Sequence, residues 1–220
     1  MKITFFLYEG CTAIDIVGTN EILSRLPNVE VRFAAQWKGE IQTDTPFMKL
    51  FATHTLDEIH STDVLIVPGA TVSFLEILQN KKVLSWVKGL HPKAKYVCSV
   101  SSGSIILAAA GLLEGKKATS HWYSLRFLAD YGVKIVQERY IKDDKIITSA
   151  GSTACLDMAL YLAELLAGTE TAKALQLMLE YDAVPPFSSG HLAKASKETM
   201  VAAKKKLKEE ALRSGILTLI

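Results

Sequence analysis

Serine residues cluster where a short apolar strand is predicted to give way to an apolar helix. The segment Ser99-Val100-Ser101-Ser102-Gly103 has the pattern of a nucleophile elbow, in which a sharp turn between strand and helix presents one side chain. The turn needs small residues two positions before and after the nucleophile, and the helix N-terminus then offers N–H groups to an oxyanion. The full G-x-S-x-G pattern is absent, so a plain turn with Ser101 or Ser102 as helix N-cap is the alternative.

Two further segments carry groups that could act on a residue at this elbow. Asp15 follows the loop after the first predicted strand, and its carboxyl is either an N-cap or a general acid or base leaning over the elbow. Pro68-Gly69-Ala70 follows the apolar run DVLIV. This turn either places free backbone N–H groups beside Ser101 or simply ends a strand.

The histidines and cysteines give weaker signals. His121, in the run TSHW, precedes a predicted helix and is a candidate base or substrate-binding residue, although a lone histidine is more often structural. Cys98 lies inside a predicted strand, which is typical of an inert core residue. No spacing among the three cysteines and five histidines resembles a metal site, so no metal is expected.

Short apolar strands alternate with helices along the chain, which predicts βαβ units and a mostly parallel sheet covered on both faces. The predicted strands cover 3–8, 29–35, 63–67, 96–100 and 133–136, with hairpins at 41–53 (or an extended arm there) and at 139–148. The predicted helices cover 15–26, 72–90, 103–113, 153–167, 170–181 and 193–214, with another after His121-Trp122. In such folds sites lie at the carboxyl ends of strands, here 8–15, 68–71 and 100–104. No linker divides residues 1–220, so one domain is expected.

Composition excludes several classes of function. Hydrophobic residues make up 49% and charged residues 22%, as in ordinary globular proteins, and a net charge of +2 gives no electrostatic case for nucleic-acid binding. The uncharged stretch 96–113 is interrupted by four serines and a glycine, so we interpret it as strand, turn and helix rather than a membrane span. Three sparse cysteines favour a reducing cytoplasm, and no targeting segment is recognised.

The elbow run YVCSVSSGSIILAAAGLLEGKKATSHW resembles the ThiJ/PfpI superfamily, which is related to class I glutamine amidotransferases. Within it the chain is most similar to the isonitrile hydratase group, which has S-V-C-T-G-S at the elbow. The runs DIVG, VPG and QLMLEYDAVPPFSSG match as well. The resemblance implies a flavodoxin-like three-layer α/β sandwich, a homodimer, no cofactor, and a cysteine nucleophile that attacks an isonitrile carbon to yield an N-substituted formamide. Asp15 then matches the acid/base carboxyl, Ser102 the threonine after the nucleophile, and Ala70 a position whose N–H helps to form the oxyanion pocket.

Ser101 departs from this pattern, because the family has cysteine at the nucleophile position. A serine hydroxyl is far less acidic than a thiol and needs an adjacent general base. Two readings therefore stay open: an isonitrile-hydratase-like lyase of low activity, or a catalytically silent relative that binds a small ligand or a protein partner. A regulator that binds DNA through a C-terminal helix-turn-helix module is not expected, since only about thirty residues follow Pro186.

Overall fold

A computed structural model describes residues 1–213 of the chain. The strands are β1 (Lys2–Phe6), β2 (Glu30–Ala35), β3 (Gly39–Gln42), β4 (Lys49–Ala52), β5 (His54–Thr55), β6 (Val64–Val67), β7 (Tyr96–Val100), β8 (Lys117–Ala118), β9 (Lys134–Ile135), β10 (Tyr140–Asp143) and β11 (Ile146–Ser149). The helices are α1 (Ala13–Leu23), α2 (Phe74–Gln79), α3 (Lys81–Leu90), α4 (Gly103–Ala109), α5 (Ala154–Ala167), α6 (Thr169–Met178) and α7 (Lys197–Arg213), with 3₁₀ turns at Leu56–Glu58, His91–Lys93 and Leu125–Tyr131.

The central sheet has seven strands in the order β10-β11-β7-β6-β1-β2-β5. Every neighbouring pair is parallel except the hairpin β10–β11. Helix α5 packs against α1 and α6, whereas α4 packs against α2 and α3, so the helices form two groups that flank the sheet. This confirms the predicted flavodoxin-like α/β architecture with a mostly parallel sheet.

The central strands are apolar because helices cover both of their faces. Val64–Val67 of β6 are all fully buried, and β1 is buried from Ile3 onward. Helix α5 is buried or half-buried at every position except Glu164. Strands β7, β6 and β1 are adjacent, and their carboxyl ends lie at one edge of the sheet. The three segments that carry the candidate residues therefore meet there.

Several helix limits differ from the predicted ones. Helix α4 ends at Ala109 instead of 113, because Gly111 takes a left-handed conformation (φ 77°) and its N–H bonds to Ala108 O. The helix expected after His121-Trp122 is a 3₁₀ stretch, closed by left-handed Gly132. Helix α1 starts at Ala13 and ends at Leu23, three residues before its predicted end.

The C-terminal helix also differs from the prediction. Helix α7 begins at Lys197 rather than 193, and the last residue of its predicted range, 214, lies outside the described part. The 41–53 segment forms the antiparallel hairpin β3–β4, which is one of the two forms expected for it.

Gly103 allows α4 to approach the end of β6, and this generates a stability prediction. A Cβ at this position would lie 2.3 Å from Val67 O and 2.8 Å from Pro68 O. We expect Gly103→Ala to lower the free energy of unfolding by about 2 kcal/mol or more, since the clash is with backbone. Gly89→Ala in α3 is the matched control, because its Cβ would meet nothing within 4 Å. Urea denaturation would contradict the packing if both variants were equally stable.

Candidate active site

Ser101 occupies a strained turn between β7 and α4. Its φ is +54°, in the left-handed region that non-glycine residues rarely adopt. The peptide is held from both sides: Ser101 N–H donates to Ala150 O (2.8 Å) and Ser149 O (3.1 Å), and Ser101 O accepts from the Ser120 hydroxyl (2.9 Å). Ser101 therefore has the backbone conformation of a nucleophile elbow, and 8% of its surface is exposed.

The turn after β6 lies directly against the elbow. A Cβ added to Gly69 would lie 2.7 Å from Ser101 Cβ and 2.7 Å from Ser102 N, so only glycine allows this approach. The glycine thus brings the backbone of one strand end into van der Waals contact with the candidate nucleophile.

Asp15 lies in the first turn of α1 and is completely buried. Its Oδ2 accepts the Gly69 N–H at 2.8 Å, whereas Oδ1 has no hydrogen-bond partner among residues 1–213. Burial raises the pKa of Asp15 to about 7, and the Gly69 N–H and the nearby Ser152 hydroxyl only partly oppose this. Thr12, not Asp15, occupies the N-cap position, so the N-cap alternative for Asp15 is wrong. A carboxyl that exchanges its proton near neutral pH is suited to general acid–base chemistry.

Ser102 holds the turn after β6 rather than capping α4. Its hydroxyl accepts the Ala70 N–H at 2.9 Å and donates to Ala70 O at 2.8 Å, and it makes no capping bond. The Gly69 N–H is already used by Asp15. Of the two alternatives for this turn, free N–H groups on Gly69 and Ala70 do not hold in this structure, because both amides donate to neighbouring side chains.

His121 lies beside the elbow without a hydrogen bond to Ser101. Its Nδ1 accepts the Tyr123 N–H at 3.4 Å, and its ring packs on Trp122 with centroids 5.5 Å apart. Burial lowers the pKa of His121, which favours the neutral ring. His121 and Ser101 are linked indirectly, because the residue before His121 donates its hydroxyl to Ser101 O. The geometry does not make His121 a base for Ser101.

A cavity of about 190 Å³ lies next to the elbow. Its lining includes Ser120 and Ala150, which hydrogen-bond to Ser101, but not Ser101 or Asp15 themselves. Its walls also include residues that sequence reasoning missed. His121, Ala150 and Gly151 form the side next to the elbow. The other walls are formed by Trp122 and Leu125, which follow His121 directly, and by two segments further along the chain: Gln137, Glu138 and Arg139, and Gly190, His191 and Leu192. No sequence signal joins His191 to His121, because the two are brought together only by the path of the chain after α6.

The three cysteines lie in the interior of the protein. Cys11, Cys98 and Cys155 are buried and unpaired, and burial raises the pKa of each thiol, so none is a thiolate nucleophile. Residues 1–213 contain no group of three His, Cys, Asp or Glu side chains that could hold a metal ion. Within the same range, no helix combines the length and apolar character needed to cross a bilayer.

A left-handed elbow residue at the end of a central parallel strand, with a buried carboxyl beside it, defines the class of protein. The chain belongs to the DJ-1/PfpI family, whose model matches residues 1–165. It is 36% identical over 191 residues to the isonitrile hydratase of Pseudomonas putida, a match that covers 86% of this chain and 82% of that protein. The resemblance found in the sequence is thereby confirmed at the level of the family.

Solved structures agree with this assignment. A ThiJ/PfpI family protein from Pseudomonas syringae is similar with a TM-score of 0.90 and 32% identity, over 100% of this chain and 90% of that one. Drosophila melanogaster DJ-1beta, at 19% identity and a TM-score of 0.75, shares the fold over 83% of this chain and 98% of its own. A transcriptional regulator of Pseudomonas aeruginosa, CdhR, is 37% identical over 82 residues, 36% of this chain and only 24% of the regulator.

The raised pKa of Asp15 predicts a pH-dependent stability. The folded chain binds this proton more tightly than the unfolded chain, so the stabilisation is complete below about pH 4 and is lost as pH rises through about 7. We expect this effect to lower the free energy of unfolding by about 2 kcal/mol between pH 5 and pH 8, and Asp15→Asn to abolish it. Urea denaturation at both pH values measures the difference.

The matched control is Asp130→Asn, which changes an exposed carboxyl. It should keep the pH dependence of the native chain. An Asp15→Asn variant whose stability falls as steeply as that of the native chain would contradict the buried, proton-binding carboxyl.

Proposed function

We propose that this chain carries an isonitrile-hydratase-type site whose turnover is limited by Ser101. The observation that carries the proposal is the buried Asp15 carboxyl, with a pKa of about 7, fastened to Gly69 beside the strained elbow. The 36% identity to a protein named isonitrile hydratase supports the substrate class. The same proposal treats residues 1–220 as one domain, acting in the cytoplasm without metal or organic cofactor.

The proposed reaction needs one nucleophile and one group that moves protons. The Ser101 oxygen bonds to the terminal carbon of an isonitrile, and that carbon gains a proton, which gives an imidate, R–N=CH–O–Ser. Water then adds to the same carbon, the C–O bond to Ser101 breaks, and the oxygen of Ser101 regains a proton. The product is R–NH–CHO, so the net change is addition of one water. Asp15 supplies the proton that the carbon gains and takes up the proton that Ser101 loses, so its protonated form is restored. In the second half it passes the two protons of the added water to the nitrogen and to the oxygen of Ser101.

Serine makes the first step slow. A hydroxyl is almost wholly protonated at neutral pH, and a base must remove its proton as it attacks. The protonated form of Asp15, favoured by burial, is an acid rather than a base, and His121 makes no hydrogen bond to Ser101.

The hydrogen-bonded amides of Gly69 and Ala70 also favour the second candidate, a relative that binds a small ligand in this cavity without turning it over.

Replacement of the attacking atom tests the proposal. A thiol ionises near pH ~8.5 and is intrinsically more nucleophilic, so we expect Ser101→Cys to raise isonitrile-to-formamide turnover by orders of magnitude, about a hundredfold or more. Asp15→Ala in that background should remove most of the gain. Formamide formation from several alkyl isonitriles is the measured quantity.

Alkylation of the introduced thiol, compared with the native chain, shows whether it is accessible. A folded, readily alkylated Ser101→Cys variant that forms no formamide would favour the ligand-binding candidate. Rapid turnover by the native chain would instead show that serine does not limit the reaction.

We also propose that the chain forms a homodimer, in part because of its exposed apolar side chains. Ile14 and Val17 are about 40% exposed on α1, and Phe47 and Phe51 are 98% and 63% exposed in the β3–β4 hairpin region. The bridge between Cys11 and Thr43 links these two segments. A second copy that covers them would remove apolar surface from water.

Light scattering at micromolar concentration is the test of assembly. We expect the mass of a dimer for the native chain. The double variant Ile14→Lys, Val17→Lys should shift the mass toward that of the monomer, because it places charge in the apolar surface. A native monomer at this concentration would contradict the proposal.

A further inference from the structure

Two histidines from distant parts of the chain line the cavity beside the elbow. His121 lies in the loop after β8, and His191 lies in the segment 179–196 between α6 and α7. The family model ends at residue 165, so the second histidine lies outside the part of the chain that the model matches. Gly190 and Leu192 line the same cavity on either side of it.

Backbone donors fix the tautomer of both rings. The Ala193 N–H donates to His191 Nδ1 at 3.1 Å, and the Tyr123 N–H donates to His121 Nδ1 at 3.4 Å. A neutral ring that accepts at Nδ1 carries its proton on Nε2. Each histidine therefore has an Nε2–H donor, and neither Nε2 is hydrogen-bonded to another described residue.

The position of His191 is set by its own turn. Its carbonyl accepts the N–H groups of Lys194 and Ala195, in addition to the bond from Ala193 to its ring. Side chains and backbone of 183–196 form hydrogen bonds only within 183–200, as far as residues 1–213 are described. His191 is an exposed residue, and this local turn, rather than a hydrogen bond to the sheet, positions it in the cavity lining.

The charges around the cavity decide which ligand it suits. Arg139 is the only lysine or arginine among the lining residues, and its guanidinium is paired with the Asp157 carboxylate, which also accepts the Tyr181 hydroxyl at 2.9 Å. Glu138 adds a further carboxyl. The cavity has no unpaired lysine or arginine for an anion, but it has two imidazole N–H donors and the apolar surfaces of Trp122 and Leu192.

We propose that His191 is a ligand-binding residue of the cavity that selects small uncharged molecules carrying a hydrogen-bond acceptor, such as the formamide product. It donates from Nε2 to that acceptor together with His121, and the apolar part of the ligand packs against Trp122 and Leu192. This inference rests on the proposed function, because it identifies the formyl oxygen of an N-substituted formamide as an acceptor of the required kind.

Binding to the native chain tests the inference without any turnover. N-butylformamide is the uncharged probe, and pentanoate is an anionic probe of similar size, each titrated by NMR. We expect saturable binding of N-butylformamide and binding of pentanoate that is at least about tenfold weaker. His191→Leu should weaken N-butylformamide binding about tenfold, the effect of one lost hydrogen bond.

The conservative variant separates donation from support of the turn. His191→Gln loses the bond from Ala193 N–H, as leucine does, but keeps an N–H donor near the position of Nε2, so it should bind within about threefold of the native chain. His60→Leu is the matched control. His60 is exposed and lies before the amino end of β6, whereas the elbow lies at the carboxyl ends of the strands. This variant should leave binding unchanged.

Four results would overturn the inference: no saturable binding, pentanoate bound as tightly as the formamide, unaltered binding by His191→Leu, or equal losses in the leucine and glutamine variants. The Ser101→Cys background distinguishes this failure from failure of the proposed function. If the Ser101→Cys variant turns over isonitrile and adding His191→Leu leaves its KM unchanged, only the role of His191 is refuted. Absence of turnover together with His191-dependent binding would refute only the hydratase function.

Discussion

The hydrogen bond from Gly69 N–H to the buried Asp15 carboxyl is the interaction on which the candidate site depends. It joins the first helix to the turn after β6, and the same glycine lies against Ser101 because it has no side chain. A carboxyl in this position is costly when ionised, and burial therefore moves its pKa to about 7. The raised pKa of Asp15 and the close packing of the three strand ends thus both depend on this buried contact between α1 and the turn after β6.

The elbow shows how a strained residue is held by its surroundings. Ser101 has both of its peptide groups bonded to fixed partners, and the hydroxyl of Ser120 is one of them. Because the left-handed conformation is imposed by these backbone contacts, it does not depend on whether oxygen or sulfur occupies the side chain. The backbone that holds the elbow is therefore separable from the side chain that the elbow presents, and the same turn suits a serine or a cysteine.

The sequence was informative where a signal is local. Apolar β-branched runs identified the central strands, and the small residues around Ser101 identified the elbow. It was less informative where backbone geometry or tertiary contacts decide, as at Gly111, which ends α4 early, or at Ser102, whose hydroxyl bonds to Ala70 instead of capping a helix. The place of His191 in the cavity wall could not be predicted, because the run that matches the family ends at Gly190 and says nothing of where the next residue lies in space.

The segment that contains His191 is bonded mainly to itself, whereas the elbow is bonded to β11 and to the loop that carries Ser120. Substitutions in 183–196 therefore change the positions of the strands little. A side chain at Gly69 or Gly103, in contrast, would collide with the neighbouring turn or strand end and shift it. The two parts of the site can consequently diverge at different rates. A change in this one surface segment therefore alters the cavity wall while the elbow and its hydrogen bonds stay in place.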